Sequence, residues 1–340
     1  MNVAGKPPLN EIADHGGSLS RADRLFPGAP KPWLDLSTGI NPHSYRFGDL
    51  PASAFRRLPE DALLSRLLTV AARAYSAPSH RTLVAAPGTQ ILLPLVAALV
   101  PPGRAAILSP TYAEHRRAAA IVGHDAVAVS SFADLASADI AILVNPNNPD
   151  GRLCTRTELL DLASHLRKRN RLLVVDEAFM DVGPREQSLA GDANEGRFVV
   201  LKSFGKFFGL AGIRLGFAIA APDIVATLQA RLGPWAVSGP ALEIGIAALD
   251  DLDWQNGMRQ RLANEARRLD ALFAKAGLAV QGGTDLYRFL RTPSAPAIFR
   301  ALGRRGILVR AFDEDAMSLR FGLPGSDAEF ERLADALARL

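Results

Sequence analysis

Between Lys202 and Gly216 the chain reads KSFGKFFGLAGIRLG. Lys206 follows Ser203 and Gly205, and Arg214 stands eight residues further on with Gly209 and Gly212 between them. An amine among small residues and aromatics suits covalent chemistry. Lysine forms an imine with an aldehyde, and burial lowers its pKa so that the neutral amine is available. Arginine offers a rigid fork of donors for phosphate oxygens, and the glycines let backbone approach closely. Pyridoxal phosphate (PLP) is a cofactor that needs both an imine lysine and a phosphate site. Taken alone, the lysine reads more readily as a solvated loop charge; the remaining motifs reverse that balance.

Four further motifs supply the other parts. VVDEAF, Val174 to Phe179, ends an apolar strand and places Asp176 where ligands of open α/β sheets bind, beyond the carboxyl ends of strands. A carboxylate there would keep a pyridine nitrogen protonated; the plain alternative is a strand-end aspartate capping the next helix. A nucleotide-binding acid is excluded, because no GxxxxGK[ST] precedes it. NPNNPDG, Asn145 to Gly151, marks tight turns. Held between prolines, Asn148 could donate to a phenolate oxygen and a substrate carboxylate, or the segment is only a turn. APGTQ, Ala86 to Gln90, joins a strand to a helix through Gly88, and the free N–H groups at Thr89 and Gln90 would bind phosphate. SPTYAEH, Ser109 to His115, follows another strand; Tyr112 would stack on a flat ring, or sit in the core.

These residues need a frame. From residue 81, short apolar runs alternate with helical patterns. Strands are expected at 82–85, 105–108, 126–129, 140–144, 172–175, 198–201 and 215–218, with helices at 89–100, 113–122 and 155–168. Near-continuous apolar strands are those buried on both faces, so the expected fold is α/β with a mainly parallel sheet. After Gly233-Pro234 the texture changes. A long helix is expected within 239–276, where Met258, Leu262, Leu269, Leu272 and Phe273 recur near helical spacing. Strands at 278–281, 286–290, 307–309 and 318–321 and helices at 294–304 and 326–339 complete a small α+β domain. The expected division is an N-terminal arm with part of the small domain (1–45), a large domain (46–234) and a small C-terminal domain (235–340).

Composition narrows the function classes. With 340 residues, 48% hydrophobic and 22% charged, the chain is an ordinary globular protein. Its net charge of +4 suits an anionic small molecule but is too small and dispersed for nucleic acid. The single cysteine, Cys154, precludes an intramolecular disulfide, so the cytoplasm is the expected compartment. The longest apolar run, Ile91 to Val100, is too short for a bilayer and contains Pro94. The first residues carry no apolar signal region. No motif calls for a metal.

The ordered set PGTQ, SPTY, NPNNPDG, DEAF and SFGKFFGLAGIRLG resembles the fold-type I PLP enzymes of the class I/II aminotransferase branch, over almost the whole chain. The resemblance implies Lys206 as the imine lysine, Asp176 at the ring nitrogen, Asn148 at the ring hydroxyl and Tyr112 on the ring face. It implies Gly88, Thr89, Gln90, Ser203 and Arg214 around the phosphate, and Arg320, in SLRFGLP, on the substrate α-carboxylate. HGG at His15 to Gly17, followed by LDLSTGINP, is similar to the threonine-phosphate decarboxylases of cobalamin biosynthesis. That similarity implies a phosphorylated amino acid substrate contacted by His15, Gly16 and the Gly39 region. It implies Arg310, in ILVRAF, at the substrate phosphate, and a homodimer. An aminotransferase acting on a phosphorylated amino compound such as histidinol phosphate shares all these motifs. Three departures from the wider pattern stand out: Phe179 where a tyrosine is usual, Gly205 in place of serine or threonine, and Leu58 in RRLPE where relatives often have a tyrosine.

Overall fold

The computed structural model describes residues 16–340, whose contacts group into two units. One comprises Tyr45–Asn148 and Leu153–Leu252; the other comprises residues 16–44, Pro149–Arg152 and Asp253–Leu340. The described strands are β1 (Leu34–Leu36), β2 (Leu83–Ala86), β3 (Arg104–Leu108), β4 (Asp125–Val129), β5 (Ile140–Val144), β6 (Leu172–Asp176), β7 (Phe198–Ser203), β8 (Gly216–Ala220), β9 (Val280–Thr284), β10 (Tyr287–Arg291), β11 (Ile307–Ala311) and β12 (Ser318–Gly322).

The first unit holds a seven-stranded sheet in the order β2-β8-β7-β6-β5-β3-β4. The apolar runs of β5, β6 and β8 are buried along their whole length, as strands covered on both faces require. Pairing is parallel from β4 through β7, and β8 runs antiparallel to both β7 and β2. The register matters for the site. Val144 pairs with Asp176 and Asp176 with Leu201; Ser203 pairs with Gly216 and Gly216 with Ala86. The NPNNPDG turn, Asp176, the Lys206 segment and the start of the helix Thr89–Ala97 therefore gather along one edge of the sheet. Ala86, Ile107, Ile142, Val174, Leu201 and Ala218 pack with helix residues such as Leu92, Val96 and Leu228 to fix that edge.

The expected long helix is two helices, Gly239–Asp250 and Leu252–Lys275. Asp251 leaves helical geometry between them, and two acidic residues at a helix C-terminus oppose its dipole. The first of the two groups with the sheet unit, not with the C-terminal one as the division at 234/235 expects. It packs along the helix Asp61–Ala74. Gly245 permits that approach: a Cβ there would lie 2.6 Å from the Leu215 side chain and 2.9 Å from that of Leu67.

The second unit holds a five-stranded sheet in the order β1-β11-β12-β10-β9. β1 comes from the segment that showed no core pattern in the sequence, and it pairs in parallel with β11. At three residues it is too short to show alternation. β11 and β12 are antiparallel neighbours with Arg310 directly opposite Arg320.

Candidate active site

Lys206 sits on the short helix Phe204–Phe207, immediately after β7. Phe204, Phe207 and Phe208 are fully buried. Phe204 stacks on Phe208 at 4.4 Å, and Phe207 meets it edge-on at 5.1 Å. These rings anchor the turn that carries the lysine. The Lys206 amine lies 5.8 Å from the centre of the Phe179 ring, so the residue that departs from the usual tyrosine forms an apolar wall beside it. Gly205 also has a steric reason. A Cβ there would lie 2.7 Å from the Ala211 Cα, so neither serine nor threonine fits without displacing backbone.

The stretch contains a second lysine, and its role differs. Lys202 is 3% exposed and pairs at 2.6 Å with Glu177, which is fully buried. Glu177 also accepts from Ser188 Oγ at 2.5 Å and from the Leu189 N–H at 2.9 Å. This pair joins β7 to the segment after β6, and sequence reading missed it because its members are brought together by the pairing of β6 with β7.

Asp176, at the end of β6, is buried and oriented from two sides. His115 Nε2 donates to Oδ2 at 2.9 Å and the Ala178 N–H to Oδ1 at 3.0 Å. His115 was overlooked, although a signal existed. It lies three residues beyond Tyr112, and the two rings meet edge-on at 5.9 Å. Asn148 follows a turn braced by its neighbours. Asn145 bonds both backbone groups of Cys154. Asn147 accepts from Thr111 Oγ1 at 2.7 Å and donates to the Pro110 carbonyl at 2.8 Å. Side-chain bonds therefore hold this turn as well as the prolines.

The helix Thr89–Ala97 starts after Gly88, which has φ 83° and offers no side-chain cap. Its first N–H groups are thus without a capping side chain, which suits an anion. Gly88 and Gly216 keep the entry narrow. A Cβ on Gly88 would lie 2.5 Å from Arg214 Nη2, and one on Gly216 would lie 2.7 Å from the Thr89 nitrogen. Arg214 itself adopts φ 55° and is exposed. Ser203 pairs with Gly216, which in turn approaches Gly88 and Thr89, so these residues and Arg214 lie near one another. The Gln90 side chain accepts from the Tyr112 hydroxyl at 3.1 Å and donates to Glu114 at 2.7 Å, while its backbone N–H belongs to the uncapped first turn of the helix. An uncapped helix start, a guanidinium, a buried carboxylate and an amine on one sheet edge fit the donor needs of PLP.

The second unit assembles a different set. Arg320 is 8% exposed and donates from Nη2 to the Ser37 carbonyl at 2.9 Å. Gly16 packs on that same carbonyl: a Cβ there would lie 2.3 Å from the Ser37 oxygen. The Gly17 N–H donates to Ser37 Oγ at 2.7 Å, and Ser37 donates to Asp35 at 2.6 Å. Gly39 is buried in the following segment. His15 lies outside the described residues. Burial pushes the Arg320 pKa down to about 10, opposed by Tyr287 and assisted by the facing Arg310. Such a shift means that the charged form is disfavoured by roughly 3 kcal/mol, and an anion bound beside it would relieve this. Arg310 is half-buried, with its guanidinium 5.3 Å from the Phe312 ring centre.

Comparisons with known proteins agree with this geometry. The family model for aminotransferase class I and II matches residues 61–337. A threonine-phosphate decarboxylase from Pseudomonas aeruginosa is 41% identical over 96% of this chain and 97% of its own length. One from a Sinorhizobium species is 42% identical over 96% of this chain and 98% of its own. The fold is similar to that of a histidinol-phosphate aminotransferase from Sinorhizobium meliloti solved with pyridoxal-5'-phosphate. That match has a TM-score of 0.80 and 20% identity, and it covers 99% of this chain and 98% of that one.

Proposed function

We propose, since this chain belongs to the class I and II aminotransferase family, that it is a PLP-dependent decarboxylase of L-threonine O-3-phosphate, forming (R)-1-amino-2-propanol O-2-phosphate and carbon dioxide. The choice of reaction rests on the two relatives that bear the decarboxylase name at 41% and 42% identity. The structural observation that carries the substrate class is the arginine pair. Arg310 and Arg320 are in direct register on neighbouring antiparallel strands, so they share a face. Like charges so placed repel, and one of them is buried. A substrate with two anionic ends would balance both: its carboxylate at Arg320, its phosphate at Arg310, with Gly16 and Gly39 lining the approach.

PLP, when bound, supplies a sink for the electron pair left at Cα as the bond to the carboxylate breaks. The rest falls to the chain's own residues. Lys206 would hold the cofactor, and its amine would supply the proton that Cα takes up when carbon dioxide leaves. Asp176, oriented by His115, keeps a proton at the ring nitrogen. Thr89, Ser203 and Arg214 hold the cofactor phosphate, Asn148 donates to the ring oxygen, and Tyr112 covers one face. In this reading Arg310 and Arg320 hold the two anionic ends of the substrate in a fixed position.

The same reading assigns the reaction to cobalamin biosynthesis and the protein to the cytoplasm, on the strength of its single cysteine. It also assigns a homodimer. Phe55, Leu58 and Trp235 are 67%, 64% and 58% exposed. Gly239 packs against the Ala54 backbone, which brings the segment after Trp235 alongside Phe55. Exposed apolar side chains of this size on neighbouring segments suit an association surface. Among the described residues, no helix is long and apolar enough to cross a membrane.

Substrate preference tests the two-anion reading. L-threonine O-3-phosphate is expected to react with kcat/KM at least about 100-fold above that of L-threonine, because a site built for a charged group is left unpaired without it. Arg310→Leu should erase most of that preference while leaving the slow reaction of L-threonine unchanged. Equal kcat/KM for the two substrates in the unmodified protein would contradict the reading.

A further inference from the structure

Tyr112, Gln90, Glu114 and Arg117 form a chain of polar contacts whose direction is set at one end. Arg117 Nη1 lies 3.3 Å from Glu114 Oε2, and the Glu114 side chain is 4% exposed. Glu114 opens the helix Glu114–Ile121, where the helix dipole favours negative charge. A carboxylate paired with arginine accepts hydrogen bonds and has none to give. The Gln90 amide, 2.7 Å away, must therefore present Nε2 to Glu114, which turns its Oε1 toward Tyr112. The Tyr112 hydroxyl, 3.1 Å from that oxygen, donates its single proton there.

We propose that Glu114 is a positioning residue that commits the Tyr112 hydroxyl proton to Gln90, so that Tyr112 meets the cofactor as a flat ring and not as a proton donor. The proposal rests on the PLP reading above, with Tyr112 against the pyridine ring. A phenol proton released from Gln90 would alter the polar surroundings of the ring that Tyr112 covers, and it would shift the pH at which the bound cofactor changes protonation state. The Gln90–Glu114 arrangement keeps the proton directed at Gln90. It also gives a buried glutamate, which the sequence left without a role, a defined function.

The test uses the PLP-loaded full-length protein. Glu114→Gln introduces an amide that accepts or donates, so the Gln90 amide is free to reverse and release the Tyr112 proton. The pH midpoint of the bound cofactor's absorbance transition is expected to move by about 0.5 unit, roughly threefold in proton affinity. Glu114→Gln combined with Tyr112→Phe should restore the original midpoint, and Tyr112→Phe alone should leave it unmoved. A purely structural glutamate would alter the melting temperature without moving the midpoint. An unmoved midpoint in Glu114→Gln overturns the proposal, and so does a shift in Tyr112→Phe alone. The single Tyr112→Phe variant keeps the test decisive should Glu114→Gln fail to fold. If the unmodified protein shows no cofactor absorbance, the PLP reading itself fails, which separates the two outcomes.

Discussion

Lys206→Ala should retain its fold and lose turnover of L-threonine O-3-phosphate by a factor on the order of 10⁵, the scale on which loss of a covalent-catalysis residue is felt. The expectation rests on the contrast between two lysines four residues apart. Lys202 is locked to the buried Glu177 at 2.6 Å, and breaking such a pair costs about 3–5 kcal/mol. It is therefore a poor substitute for Lys206, which stands on the aromatic-anchored turn next to Phe179. Borohydride reduction of the PLP-loaded protein, followed by peptide mass mapping, checks this directly. The unmodified chain should carry the cofactor mass on the peptide containing Lys206, and the variant should carry none. Cofactor mass on Lys202, or a reducible linkage surviving in Lys206→Ala, would remove the assignment.

The second large effect is expected at Asp176. Asp176→Asn should lower kcat by about 10²–10⁴-fold, which corresponds to the roughly 3–5 kcal/mol lost when one member of a buried charge pair is removed. KM for the substrate should change far less, since the substrate's anionic ends are assigned to Arg310 and Arg320. His115 provides an internal control. Its Nε2 donates to Asp176 at 2.9 Å, and both side chains are buried. His115→Gln, which can still donate, should retain more activity than His115→Leu, which leaves the carboxylate without that donor. Steady-state kinetics of the three variants give the comparison. A kcat for Asp176→Asn within about threefold of the unmodified protein would rule out a role at the ring nitrogen, since one ordinary hydrogen bond is worth about that much.

Much of the fold was legible because its strands are short, continuous apolar runs. Those of β5 and β6 were located to within a residue, and the five motifs mark where strands end. β1 was not legible, since three residues carry no period. The break at Asp251 was hidden because the residues on either side of it keep an apolar helical spacing. Within the site, residues standing inside motifs were found. Their supports were found less often, because they are set by tertiary pairing: Asp176 with His115, Lys202 with Glu177, Gln90 with Glu114. Gly205 shows the reverse case. In the sequence it is only a departure from a pattern; in the structure the Ala211 backbone leaves room for nothing larger.

Arg310 and Arg320 suit a doubly anionic substrate whichever bond to Cα is broken, so the reaction type needs its own measurement. The most direct one follows carbon dioxide release from L-threonine O-3-phosphate labelled at the carboxyl carbon, with and without 2-oxoglutarate. The account predicts one carbon dioxide per substrate consumed, at a rate that 2-oxoglutarate leaves unchanged. No labelled carbon dioxide, with amino transfer to 2-oxoglutarate in its place, would contradict it.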